Sequence, residues 1–153
     1  MKTVTKTIFK TSINAPREKV WETLWNDETY TKWTKAFSEG VSEGSYAITD
    51  WKKGSKVLFT DGKGNGMVSR VTENIPNEFM GIEHLGEVKD GVEDTTSEKV
   101  QQWAGAHEDY TLKTVNGITE LTVEMDFSEE FAEMFKDIWP KALADLKALA
   151  EAN

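Results

Sequence analysis

A chain of 153 residues suits one domain with a core of its own and is short for two. It has no cysteine, which excludes a disulfide scaffold, a thiolate metal site and cysteine catalysis. With 18 basic and 27 acidic side chains the net charge is −9, which disfavours nucleic acid and anionic membrane surfaces as partners.

The opening MKTVTKTIFKTSINAP lacks the apolar stretch of a signal peptide, and no later run is long and apolar enough to span a bilayer. The expected setting is therefore cytoplasmic, without a membrane partner. No repeat, low-complexity tract or Pro/Gly-rich linker divides the sequence, so residues 1–153 read as a single domain. The first predicted strand is Thr3–Ile13, rich in Thr, Val, Ile and Phe and stopped by Asn14-Ala15-Pro16. Pro16 suits the first turn of a helix, where its missing N–H would be unpaired in any case. Val20 and Leu24, and Trp21 and Trp25, stand four apart and give helix Pro16–Trp25 one apolar face. Asp27 is the expected N-cap of a short second helix carrying Tyr30 and Trp33.

From Gly40 the texture changes to β-rich segments split by glycines: Lys56–Thr60, Gly66–Thr72 and Phe79–Leu85 read as strands. The Gly62–Gly66 run matches neither phosphate-loop spacing and precedes a strand, so it reads as a turn. Asn74–Asn77, with Pro76, is another turn. Gly86–Gln102 is acidic, polar and glycine-containing and reads as a long mobile loop.

Asn116-Gly117 between two β-rich arms predicts a type I′ hairpin, because both central positions of that turn need positive φ. A two-residue turn sets the register. Val115 then faces Ile118, Lys113 faces Glu120, Leu112 faces Leu121, Tyr110 faces Val123 and Glu108 faces Met125. Leu121, Val123, Met125 and Phe127 alternate with polar residues, so they form a buried face, and Glu108 falls on it, an unusual place for a carboxylate. Ser128 is placed to cap a last helix opening with Glu129-Glu130. Phe131, Phe135, Ile138, Ala142, Leu146 and Leu149 make its apolar stripe, and Pro140 is expected to kink or split it. The fold class is α+β: a strand, two short helices, an antiparallel sheet, then one long helix laid on that sheet.

Ile13-Asn14-Ala15-Pro16-Arg17-Glu18-Lys19-Val20-Trp21 resembles the opening strand-to-helix motif of the START-like, or SRPBCC, superfamily, and Lys32-Trp33 its second-helix Trp. Trp51–Val57, Gly66–Val71 with Pro76, and Trp139 with Leu143 and Leu146 are similar to one branch, the homologues of the activator of the heat-shock-protein-90 ATPase. The resemblance covers essentially the whole chain. It implies a helix-grip fold, a curved antiparallel sheet wrapped around the long C-terminal helix, with a cavity between sheet and helix that relatives use for lipids, hormones or polyketide intermediates. The branch has no shared catalytic motif, so no catalytic residue, metal or cofactor is implied.

In such a fold the strand Phe79–Leu85 should pair with the one beginning near Glu108. Parity permits Met80 against Leu112, Ile82 against Tyr110 and His84 against Glu108. A carboxylate beside His84 would orient its ring, giving a general base or a polar anchor for a ligand; the plainer alternatives are a structural hydrogen bond, or a bulge that turns one residue outward. His107, Asp109 and Asp126 read as an outward surface cluster rather than a metal site. Two His and no nucleophile elbow argue against a Ser/His/acid triad. The expected cavity lining is Tyr46, Trp51, Phe59, Met67, Met80, Ile82, His84, Glu108, Tyr110 and Leu112 from the sheet side, with Met134, Phe135 and Ile138 from the helix. The leading reading is a non-catalytic binding module that carries or senses a small hydrophobic ligand. The others are a co-chaperone-like protein-interaction domain using the acidic face, and a cyclase- or hydrolase-like enzyme with His84 as base.

Overall fold

Strand β1 (Val4–Ile13) pairs along its whole length with the last strand, so the first and last strands of the sheet lie side by side. The computed structural model describes residues 4–37 and 46–152; Thr3, the expected start of β1, and Gly40 lie outside the described residues. After β1 come α1 (Arg17–Trp25), α2 (Asp27–Trp33), a 3-10 turn (Thr34–Phe37), β2 (Tyr46–Ile48), β3 (Lys56–Thr60), β4 (Gly66–Ile75) and β5 (Phe79–Lys89). Then follow β6 (Val92–Asp94), α3 (Glu98–Gln101), β7 (His107–Val115), β8 (Ile118–Ser128) and α4 (Glu129–Glu151). The sheet is antiparallel, open and curved, in the order β1-β8-β7-β5-β4-β3-β2, with β6 attached to β5. Helix α4 lies in its grip, with Trp139, Ala142, Leu143, Leu146 and Ala150 buried against it.

The β7–β8 hairpin has the expected register at every pair, from Val115↔Ile118 to Glu108↔Met125. Its turn residues Asn116 and Gly117 take φ of 52° and 83°, the type I′ geometry. Elsewhere local chemistry moved boundaries. Pro16 is the N-cap of α1 rather than its first helical residue, and Asn26, not Asp27, caps α2 by accepting the Glu28 N–H at 3.0 Å. Pro140 sits inside α4 without splitting it: both Pro140 and Lys136, whose carbonyl loses its bond, are on the exposed side, where water reaches that group. The side chains of residues 128–132 lie outside the described part, so the expected Ser128 cap, the Glu129-Glu130 acids and Phe131 have no structural account.

Two expectations are overturned. Gly86–Gln102 is not a long loop. Strand β5 continues to Lys89, turns at Asp90-Gly91 (φ 51° and 79°) into β6, and Ser97 then caps α3 through the Val100 N–H. Asp-Gly is the same positive-φ turn signal as Asn-Gly, hidden here by acidic surroundings. The β5–β7 register is also two residues from the expected one, with Met80 opposite Tyr110 and Ile82 opposite Glu108. A slip of two keeps every side chain on its face, so period-two alternation is blind to it.

The partner of β5 changes along its length. Residues 79–83 pair with β7, His84 bonds to Ala106 and Gly105 backbone, and residues 87–89 pair with β6. At the change, a Cβ on Gly86 would lie 2.1 Å from the Asp94 carbonyl oxygen, so only glycine fits the crossing chain. The segment carrying α3 thereby bridges the gap and delivers Lys99, Trp103 and Ala106 to the inner side of the sheet.

Candidate functional site

Between the inner face of the sheet and the first half of α4 lies a cavity of about 430 Å³. Its wall is mostly aromatic and Met: Tyr30 and Trp33 from α2, Phe37 from the turn after it, Phe59 and Met67 from β3 and β4, and Met125 and Phe127 from β8. Met134, Phe135 and Trp139 close it from α4. Each arrives by element periodicity, since alternate strand residues and every third or fourth helix residue share a face. The rings brace one another: Phe127 stacks on Phe135 with centroids 4.6 Å apart, and Phe37 meets Trp139 edge to face at 5.0 Å. Lys99 and Met134 are both exposed and stand at the mouth. Trp139 carries a buried indole N–H without a hydrogen-bond partner among the described residues, an orphan donor in the wall.

One polar chain crosses this apolar wall. Ser69 Oγ lies 2.7 Å from His84 Nδ1, His84 Nε2 lies 3.1 Å from Glu108 Oε1, and the Tyr110 hydroxyl donates to Glu108 Oε2. All these groups are satisfied when the Ser69 hydroxyl donates to Nδ1 and a neutral His84 donates its Nε2–H to the carboxylate. Although Ile82, not His84, stands directly opposite Glu108 on β5, the His84 and Glu108 side chains meet on the inner face diagonally across β5 and β7. Burial, then the Glu108 charge, pushes both the Tyr110 and the Tyr30 hydroxyl well above the ordinary tyrosine range, so both remain protonated donors.

The distances of Ser69, His84 and Glu108 imitate a hydrolytic triad, but the topology does not. Ser69 is fully buried behind His84 and is absent from the cavity wall, so its oxygen faces no space where a substrate carbonyl could stand. Its role is to orient the ring. On the outer face, His107 Nδ1 is 3.4 Å from Asp109 Oδ1, and the His107 N–H donates to Asp126 Oδ2 at 2.9 Å. Asp126 itself reaches the rim of the cavity.

Of the residues expected in the lining, Phe59, Met67, His84, Glu108, Tyr110, Met134 and Phe135 are brought together at the wall. Met80, Ile82 and Leu112 are instead packed at 0, 0 and 2% exposure, one layer deeper along the same strands. Ile138 is half-buried away from the wall, and Trp51 packs on Trp25 with centroids 4.6 Å apart. Tyr46 lies on edge strand β2 beside a separate surface depression shared with Asp27 and Asp61. Sequence reasoning missed Met125, Phe127 and Trp139 as lining, though the alternation of β8 had placed the first two inside; Trp139 was singled out only by the family resemblance. Lys99 was out of reach while Gly86–Gln102 read as loop, and Trp103, just beyond it, was assigned to no element.

The profile of the family described as "Activator of Hsp90 ATPase homolog 1-like protein" matches residues 14–151. No curated protein sequence matches. Solved structures share the fold. The Aha1 dimer from Colwellia psychrerythraea superposes with a TM-score of 0.72 at 21% identity, covering 96% of each chain. ChR145 from Cytophaga hutchinsonii gives 0.68 at 22% identity over 99% of this chain and 97% of its own. CalU16 from Micromonospora echinospora gives 0.68 at 14% identity over 96% and 76%.

Proposed function

The chain belongs to the Activator of Hsp90 ATPase homolog 1-like family, and from that premise we propose that it is a carrier or sensor of a small hydrophobic ligand held between the sheet and α4. The family and its fold make the chain a ligand-binding or interaction domain in general terms. The finer reading rests on one observation: the aromatic cavity of about 430 Å³ with a short polar chain and an orphan Trp139 N–H in its wall. That is the usual composition of a small-molecule site, apolar surface for affinity and a few convergent polar groups for orientation. Each 100 Å² of apolar ligand surface withdrawn from water contributes about 2.5 kcal/mol. His84 already engages Ser69 and Glu108 through both ring nitrogens, which favours an anchoring role over a free general base.

The test is native mass spectrometry of the protein purified from its own cells, followed by titration of the stripped protein with the neutral probe N-phenyl-1-naphthylamine. A bound small hydrophobic mass, or saturable one-to-one probe binding lost in Ala106→Phe, is the expected result. Neither a bound mass nor saturable binding would overturn the reading. The interaction alternative draws on the net charge of −9. It predicts salt-sensitive capture of a basic partner that Ala106→Phe leaves unchanged.

A further inference from the structure

We propose that the cavity takes an organic ammonium ion on an apolar body, with the Glu108 carboxylate as its counter-ion; this rests on the cavity's being a binding site and names the class of ligand. Glu108 lies in the wall with its side chain 13% exposed, and its partners are the His84 ring and the Tyr110 hydroxyl. In the arrangement in which the Ser69 hydroxyl donates to Nδ1, the His84 ring and the Tyr110 hydroxyl both reach Glu108 as neutral donors, and the carboxylate keeps a charge that a bound cation would pair. Among the described residues the one Lys or Arg in the wall, Lys99, pairs with Glu87 at 3.7 Å.

The wall as a whole leans the same way, with Glu87, Glu108 and Asp126 against Lys99 and the His84 ring. Tyr110, which touches this carboxylate, belongs to a cluster of rings in the same wall. Tyr30 stands 5.5 Å from Trp33 and 6.4 Å from Phe59, and Trp33 stands 6.5 Å from Tyr110, centroid to centroid. The Glu108 charge reaches both Tyr30 and Tyr110, where it raises their titration, so it acts from within that cluster. Aromatic faces attract an ammonium ion more strongly where water is excluded, and a carboxylate in the same low-dielectric space adds a full counter-charge. A neutral ligand displacing water from Glu108 would return at most a hydrogen bond and no counter-charge, and an anion would be repelled. The net charge of −9 draws cations toward the protein as a whole.

Three probes of one shape test this by calorimetry on the full chain at pH 7: naphthalen-1-ylmethylamine, naphthalen-1-ylmethanol and naphthalene-1-carboxylic acid. The amine is expected to bind about tenfold or more tighter than the alcohol, and the acid weakest. Glu108→Gln should remove that preference while leaving alcohol affinity within about threefold, and Asp126→Asn should leave the preference in place. Should Glu108→Gln fail to fold, the wild-type protein still decides: the amine, and not the alcohol, should shift the side-chain carboxylate ¹³C resonance of Glu108. Alcohol binding as tight as amine binding, a preference that survives Glu108→Gln, or an unmoved Glu108 carboxylate overturns the proposal while the carrier reading stands. If none of the three binds, this proposal falls, while the carrier reading is decided separately by the native mass and the N-phenyl-1-naphthylamine titration.

Discussion

The two ends of the inner face are built on the same strands and the same helix, yet one is solid and the other hollow. At the closed end Ile13, Val20, Leu24, Met80, Ile82, Leu121 and Leu146 are all fully buried, and Leu143 is 4% exposed. At the open end the residues next along those elements are His84 after Ile82, Tyr110 and Glu108 before Leu112, and Trp139, Phe135 and Met134 before Ala142. Periodicity is unchanged from one end to the other. What changes is shape: branched aliphatic side chains interdigitate to crystal-like density, whereas large flat rings brace one another at 4.6–6.5 Å and leave a gap between them. The open end also lies where β5 exchanges β7 for β6, so no long strand closes it from the side.

That contrast can be broken by deletion. Leu146→Ala, at 0% exposure, should cost about 3 kcal/mol through lost transfer energy and a residual cavity. Met134→Ala, at 49% exposure, should cost about 0.5 kcal/mol or less. Denaturant midpoints at constant m-value decide it, and equal losses would mean that the two ends are packed alike. Filling sharpens the same point. Ala142→Phe at the closed end should destabilise by about 1–3 kcal/mol from overpacking, while Ala106→Phe in the cavity wall should leave stability near wild type and abolish probe binding. Thermal melts beside the probe titration read both.

Ser69 marks the border between the ends. Ser69→Ala leaves His84 Nδ1 buried without its partner and should cost about 1–2 kcal/mol. The same change should loosen the ring, read as broadened His84 imidazole resonances and weaker probe binding; sharp, unshifted resonances would show that Ser69 orients nothing. The smallest effect belongs to the outer face. Burial raises the Asp109 carboxyl above its ordinary value, only partly offset by His107. The folded state thus holds that proton more tightly than the unfolded chain. The associated stability is present at acid pH and is lost as pH rises through the raised folded value. Asp109→Asn should therefore gain up to about 0.5 kcal/mol at pH 7, a gain that vanishes near pH 3 in paired melts. A gain of the same size at both pH values would contradict this origin.

Much of the architecture was legible because it depends on local rules. Asn116-Gly117 dictates a turn that needs positive φ twice, and from that turn alone Glu108 was placed inside, where it is found. The His84–Glu108 pair was legible by parity, although the register that delivers it is two residues away, because faces survive a two-residue slip. The division between cavity and core was not legible. Leu112 and Tyr110 share one face of one strand, and only the three-dimensional spacing of α4 from the sheet decides that the first is packed and the second lines space. Asp90-Gly91 carried a readable hairpin signal that its acidic neighbours masked, and with it went Lys99. Trp51 takes φ of 60° and turns onto Trp25, a tertiary preference that no pattern in the sequence announces.

The central claim is that the hollow end, and it alone, receives a ligand. Chemical-shift mapping of the full chain during titration with naphthalen-1-ylmethanol tests it most directly. Saturable shifts are expected at the indole N–H groups of Trp33 and Trp139 and at the His84 ring, with the methyls of Leu121 and Leu146 unmoved. Shifts spread over both ends, or confined to residues on the outer face of the sheet, would contradict it.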